Sequence, residues 1–208
     1  MIIAVDGPAA SGKGTIARAI AAHYKLPHLD TGLLYRAVGQ TVLDRGSDPA
    51  SEADAVAACD FADAMLADPR LKESAAGNAA SVVSAHPKVR EALIARQRAF
   101  ATQNGGAVLD GRDIGTVIAP EADAKLFVRA TSAIRARRRH DELVRAGAKI
   151  SFDKVLADIK ARDLRDSTRA TAPLRQAPDA ALLDTSFMSI EAAIRHAIQL
   201  VERQIAER

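Results

Sequence analysis

Residues 7–15 read GPAASGKGT. Small residues ahead of a lysine are what a chain needs to wrap a polyphosphate. Glycines let backbone N–H groups turn toward phosphate oxygens, a following helix adds the positive end of its dipole, and the Lys13 ammonium brings a movable point charge. The common phosphate-loop pattern has Ser or Thr directly after the lysine, where the hydroxyl meets Mg²⁺. Here that place is Gly14, and the hydroxyl arrives one residue later, at Thr15. A metal at such a loop is expected to be held mostly through waters and nucleotide oxygens, which suits the reluctance of Mg²⁺ to dehydrate. Asp110, ending the apolar run AVLD, is the candidate outer anchor for it. Its competing role is to cap the GRD turn that follows.

Hydrolysis of a nucleotide needs one polyphosphate site, whereas phosphoryl transfer must also grip an acceptor. Arginines recur where a second phosphate could be held. Arg36 follows TGLLY, and Arg112 sits in DGRDIGT just beyond an apolar run, where the ligands of parallel sheets gather. In RDLRDSTR, Arg162, Asp166 and Arg169 are spaced i, i+4 and i+7, which places them on one face of a helix. The acid could orient the arginines or accept from a sugar hydroxyl. Arg135, Arg138 and Arg139 share a second face, with Arg137 turned away. Like charges so close repel, and an anionic ligand would relieve the repulsion; a solvated basic helix is the plain alternative.

These residues need a frame, and the chain alternates short apolar runs with helical patterns, the mark of a parallel sheet covered by helices. IIAVD, PHLD, AVLD, AKLFVRA and ALLDT are the five expected strands; the lack of polar alternation in IIAVD fits burial on both faces, and AVLD and AKLFVRA are expected to be buried as well. Helices are expected from GKGTIARAIAAHY, through LLYRAVGQTVLDR, over 52–66, from Pro87 to the Gly105-Gly106 stop, over 132–146 and 152–169 around Gly147, and through SIEAAIRHAIQLVERQIAE. Residues 70–86 are less clear, although NAASVVSAH has helical spacing. The fold expected is an α/β, three-layer phosphate-loop NTPase type with a five-stranded parallel sheet.

Composition narrows the partners. The 208 residues carry 48% hydrophobic and 26% charged side chains, and a net charge of +3, too small to argue for nucleic acid. Aromatics are 3% with no Trp, which counts against base-stacking platforms for single strands. The lone Cys59 can make neither an internal disulfide nor a zinc site and fits a reducing compartment. MIIAV reaches Asp6 too soon for a signal peptide, and no run is long enough for a bilayer. A cytoplasmic protein without nucleic-acid or membrane partners is expected.

At these motifs the chain closely resembles the bacterial cytidylate kinases, the (d)CMP-kinase branch of the nucleoside monophosphate kinases. GPAASGKGT, LDTGLLYR, NAASVVSAHPKVREAL, DGRDIGT, RARRR, RDLRDSTRATAPL and LDTS occur in family order over nearly the whole chain. DGRDIGT and the RDxxRDxxR run are the most specific of them. The resemblance implies transfer of the ATP γ-phosphoryl group to CMP or dCMP with Mg²⁺; another small acceptor, such as UMP or AMP, is the nearest alternative. It implies ATP phosphates wrapped by Gly7, Pro8, Ala9, Ala10, Ser11, Gly12, Lys13, Gly14 and Thr15. Thr31 and Arg36 would hold the acceptor, with Arg36 and Arg112 at its phosphate and Arg169 as a further phosphate contact. Ser81, Arg90 and Asp113 match positions that read the cytosine edge, and Arg162 with Asp166 the sugar side. Lys13, Arg112, Arg135 and Arg139 would carry the catalysis, the last two from a lid that closes over ATP. The implied division is a core of about 1–36, 105–131 and 170–208, an acceptor-binding segment of about 37–104 and a lid of about 132–169, in a monomer. Relatives of the long form carry a β-rich insertion before the NAAS helix. Here ADPRLKESAAG spans that place, and Lys72 stands where relatives commonly have Arg, a point charge for a bidentate fork.

Overall fold

The computed structural model describes residues 1–207. Five strands, β1 (Ile2–Asp6), β2 (His28–Asp30), β3 (Ala107–Gly111), β4 (Ala124–Arg129) and β5 (Ala181–Asp184), pair only in parallel, in the order β2-β3-β1-β4-β5. Parallel neighbours cannot be joined by a hairpin, so each connection crosses a face of the sheet and covers it. On one face, α1 (Lys13–Tyr24) and α8 (Ile190–Ala206) lay Ile16, Ile20, Ala197 and Val201 against Ile3, Val5, Val108, Leu126 and Leu183. On the other, Ala4 and Leu109 meet Ile114, Ile118 and Ala101, the last residue of α5 (Pro87–Ala101). Ile3 and Val5 point one way and Ala4 the other, as the two-residue period of a strand requires. Burying each large side chain is worth roughly 1.5–3 kcal/mol, and this fixes which face of each strand meets which helices. At the carboxyl edge the apolar runs end in acids: Asp6, Asp30, Asp110 and Asp184.

Two smaller cores flank the edge. α2 (Thr31–Asp44), α3 (Glu52–Ala57), α4 (Ser74–Val83) and α5 gather Leu34, Val38, Val42, Ala55, Val83, Val89 and Leu93. α2 and α4 touch closely, because a Cβ on Gly39 would lie 2.8 Å from Ala79 Cβ and 2.9 Å from Ala80 N. α6 (Ser132–Arg145) and α7 (Phe152–Thr168) pack around Ala136, Val155 and Ile159, with Ala10 of the glycine-rich loop against them. Gly147, at φ 88°, makes the left-handed turn between them.

All five strands lie where the apolar runs place them. One helix does not. The helix expected over 52–66 stops at Ala57 and gives way to 3₁₀ turns at Asp63–Ala67 and Pro69–Lys72. The break lets Phe61 and Leu66 reach the core of α2–α5, while Arg96 lies 5.1 Å from the Phe61 ring and pairs with Asp63. Those contacts outweigh the helix propensity of the alanines. The less clear region 70–86 holds α4, and a π turn at Ile114–Ile118 follows β3.

Candidate active site

The loop between β1 and α1 is shaped by close approach. A Cβ on Gly7 would lie 2.1 Å from Val128 O, so only glycine lets the loop leave the sheet there. Gly12, at φ 93°, precedes Lys13, and its carbonyl accepts from Thr15 N and Ile16 N. No side chain caps α1, which leaves the first-turn N–H groups and the dipole end to an anion. Thr185 Oγ1 donates to Ser11 O at 2.9 Å and ties the loop to the end of β5. Burial, then the positive charge of Arg112, push the Lys13 ammonium down to about 8. An anionic ligand would reverse that push.

Beside Lys13 stand two carboxylates in register, Asp30 of β2 and Asp110 of β3. Asp30 Oδ1 accepts from Gly32 N at 2.9 Å and caps α2. Burial and the neighbouring Asp110 push its carboxyl up. Asp110 Oδ1 lies 2.7 Å from His28 Nε2, and Asp110 Oδ2 would be 3.7 Å from a Cβ on Gly14. The missing side chain at Gly14 therefore opens a path from the loop to this carboxylate. Among the described residues no group of three His, Cys, Asp or Glu side chains can cage a metal. One or two carboxylates plus phosphate oxygens and water are, however, what Mg²⁺ takes beside a nucleotide, and the residues present fit it in that form.

The second cluster surrounds a small pocket, about 30 Å³, lined by Thr31, Tyr35, Ser84, Arg90, Arg112, Asp113, Arg162, Asp166 and Arg169. Its charged side chains are paired with one another. Arg112 Nε donates to Asp166 Oδ2 at 2.8 Å, and Arg162 Nε stands 4.0 Å from the same oxygen. Burial raises Asp166, but Arg112 and Arg162 outweigh it and hold the carboxyl below its usual range. Burial, then Arg112, push Arg162 down to about 9. Arg90 pairs with Asp113 Oδ2, and Arg169 Nη2 lies 3.6 Å from Asp113 Oδ1. Two guanidinium donors, Arg162 Nε and Arg169 Nη2, are buried without a hydrogen bond, and so is the Tyr35 hydroxyl. Native folds rarely leave such groups unmet, and an oxygen-rich anion would satisfy both.

Between this pocket and the loop lies a cavity of about 250 Å³, reached by Ala9, Ala10, Arg36, Arg139 and Arg162. Arg36 reaches it from α2 and donates to the Leu71 and Glu73 carbonyls; a side chain at Gly77 would lie 3.3 Å from its guanidinium. A further cavity, about 410 Å³, runs past Gly12, Thr15, Arg138, Met188 and Ile190.

The structure brings most of the expected residues to these spaces, with three changes of partner. α7 ends at Thr168, so Arg169 has extended backbone and turns to Asp113 instead of sharing a helix face with Arg162 and Asp166. The arginine face of α6 is divided. Arg135 is buried, held bidentately by Asp163 at 2.9 and 2.6 Å and donating to Ala9 O at 3.2 Å; Arg138 donates to Ser11 O and Thr185 O; Arg139 pairs with Glu142. Arg137 does turn away, 4.7 Å from the Phe152 ring. Ser81 Oγ accepts from Arg165 Nε at 3.1 Å, outside the lining of the small arginine pocket. Thr31 Oγ1 donates to Asp110 O at 2.8 Å. Sequence reasoning missed Asp6, whose two oxygens accept from Ile114 N and Gly115 N at 2.8 Å each, and it missed His28, Ser84 and Arg165. The acid at the very end of IIAVD was the available signal for Asp6.

Comparison with known proteins agrees with this geometry. A family model described as cytidylate kinase matches residues 3–203. A cytidylate kinase of Xanthobacter autotrophicus is 57% identical over 209 residues, covering 100% of both chains. One of Rhodopseudomonas palustris (strain HaA2) is 55% identical over 203 residues, covering 97% of this chain and 96% of its own. Among solved structures, a gluconokinase from Sinorhizobium meliloti 1021 superposes with a TM-score of 0.56 at 15% identity, over 99% of this chain and 94% of that one, a likeness of fold alone. A family model over nearly the whole chain, and relatives of this length and identity, place the chain in the cytidylate kinase family.

Proposed function

We propose that the loop and the arginine pocket are the donor and acceptor halves of one site that transfers the γ-phosphoryl group of ATP to CMP or dCMP, giving ADP and CDP or dCDP. The observation that carries this is the pair of buried, unbonded donors, Arg162 Nε and Arg169 Nη2, beside Arg112 and opposite Lys13. A hydrolase has no use for a second pocket of this kind.

The chemistry asks for position and charge neutralisation. An oxygen of the acceptor phosphate attacks the γ-phosphorus in line, and the bond to the β,γ-bridging oxygen breaks, its electron pair leaving with ADP. The acceptor phosphate is already ionised, so no general base is needed. Lys13 and the loop N–H groups hold the donor phosphates; Arg36 and Arg112 hold the acceptor phosphate; Arg139 and Arg162, lining the cavity between them, face the transferring group. Arg135 fixes α6 and α7 to the loop through Ala9 and Asp163. Mg²⁺ bound with ATP would neutralise phosphate charge, with Asp110 and Asp30 receiving its hydration shell across Gly14. We assign α6 and α7 to the lid and the α2–α5 unit to acceptor binding. The acceptor pocket, with room for roughly one or two waters, must open to admit CMP, exchanging internal ion pairs for contacts to the nucleotide. The pairing of Arg112 with Asp166 keeps these charges satisfied until it does.

The test is ADP release with and without acceptor. Release should require CMP or dCMP and disappear in Lys13→Met; turnover by that variant would overturn the donor assignment. Asp110→Asn should raise the Mg²⁺ concentration needed for half-maximal rate, and an unchanged Mg²⁺ profile would remove Asp110 from the metal's surroundings.

A further inference from the structure

Resting on the reading of the glycine-rich loop as the ATP-binding half, we propose that His28 is a positioning residue for it. By donating to Asp110, His28 keeps that carboxylate off Lys13 and so leaves the ammonium free for the ATP phosphates. Burial, then Arg112, push the Lys13 ammonium down, while the charges of Asp110 and Asp30 pull the other way. Two acids therefore stand near enough to be felt, yet among the described residues Lys13 is in no ion pair with either. Each acid is tethered elsewhere instead. Asp30 Oδ1 accepts from Gly32 N at 2.9 Å, and Asp110 Oδ1 lies 2.7 Å from His28 Nε2.

The sheet explains how His28 comes to hold Asp110. β2 and β3 run in parallel register, with His28 beside Val108 and Asp30 beside Asp110. Side chains two apart on a strand share a face, so these four lie on the same one. Val108 offers the imidazole no polar partner, and the ring reaches along the diagonal to Asp110. An ionised carboxylate only accepts, so His28 donates from Nε2. The same bond leaves Asp110 Oδ2 on the loop side, 3.7 Å from where a Cβ on Gly14 would lie.

The consequence of losing that donor follows from burial. The Asp110 side chain is only 2% exposed, so water cannot replace the imidazole. A buried charge stripped of its partner is costly and must find another. Arg112 already donates to Asp166, which leaves Lys13 as the unpaired cation beside Asp110. A carboxylate turned onto Lys13 would have to be displaced before a phosphate could reach the ammonium, and ATP affinity would fall by the strength of that pair.

The experiment is calorimetric titration of ATP into the full chain at pH 7 with EDTA present, so that no metal enters the reading. His28→Phe keeps a ring and loses the donor; its Kd for ATP should rise about tenfold, the worth of a hydrogen bond to a charged group. His28→Leu takes its place if the phenylalanine variant does not fold. His28→Gln retains an N–H donor and should bind ATP as the wild type does. The decisive arm is the double-mutant cycle with Asp110→Asn. A neutral amide cannot capture Lys13, so in that background His28→Phe should leave the Kd unchanged. An unaltered Kd in the single variant, or a loss of equal size in the Asp110→Asn background, would overturn the proposal by reducing His28 to a support of β2. A wild type that binds no ATP would instead overturn the reading of the loop itself, so the two failures are distinguishable.

Discussion

Asp6→Asn separates what the fold tolerates from what the site requires. Asp6 ends β1, is buried, and accepts the N–H groups of Ile114 and Gly115, both at 2.8 Å. It thereby anchors the turn that carries Arg112 and Asp113 to the strand that feeds the phosphate loop. Burial pushes its carboxyl from the ordinary 3.8 up to about 7, against the opposing pull of those two N–H groups. A rise of that size corresponds to about 4 kcal/mol between protonation states. The folded chain keeps a proton that the unfolded chain has released, so this residue lowers stability progressively as pH rises from about 4 to about 7, and no further above that. Asparagine does not titrate, but it offers one oxygen where two N–H groups need one each. The variant should be less stable than the wild type by about 1–3 kcal/mol in acid, where Asp6 is protonated. Between about pH 5 and pH 8 the difference should shift in the variant's favour by about 2–3 kcal/mol. Urea denaturation at stepped pH measures both quantities, and subtracting the two curves cancels every other titrating group. A difference that stays flat across that range would refute the account of Asp6.

Three further outcomes follow from named contacts. Because Lys13 in the ligand-free protein is pushed down to about 8, the Kd for ATP measured by calorimetry should rise about tenfold by pH 9 as the ammonium is lost; Lys13→Met should bind weakly at all pH values without that slope. Asp166→Ala strips Arg112 and Arg162 of their shared carboxylate. It should cost about 3–5 kcal/mol in thermal or denaturant unfolding, as breaking a buried pair does, and lower kcat/KM for CMP more than the KM for ATP changes. Gly39→Ala places a methyl 2.8 Å from Ala79 Cβ, so α2 and α4 must part, at a cost of about 1–3 kcal/mol. The loss should show in Tm and in KM for CMP, since Arg36 and Thr31 ride on α2.

The frame was legible because burial writes itself plainly: IIAVD and AVLD have no polar alternation, they and the edge strand ALLD end in acids, and a parallel sheet puts those acids on one edge. The phosphate loop was legible because glycines and a lysine between a strand and a helix have few other uses. What spacing could not convey is which partner wins when several arginines compete for few carboxylates. Arg162, Asp166 and Arg169 share a helix face only if the helix continues, and it stops one residue early. Arg135 looked free for a ligand, yet Asp163 on the next helix claims it. Ser81 and Ser84 both lie on the NAASVVSAH pattern, and only packing against α7 turns one away and leaves the other at the pocket. Phe61 left the helical pattern for a contact with Arg96, distant along the chain but adjacent in the fold.

The most direct measurement of the central claim is steady-state ADP release with CMP, dCMP, UMP and AMP as acceptors at fixed ATP and Mg²⁺. CMP and dCMP should give the highest kcat/KM, with little ADP formed when no acceptor is present. Comparable or better turnover of AMP or UMP, or ADP release indifferent to any acceptor, would contradict it.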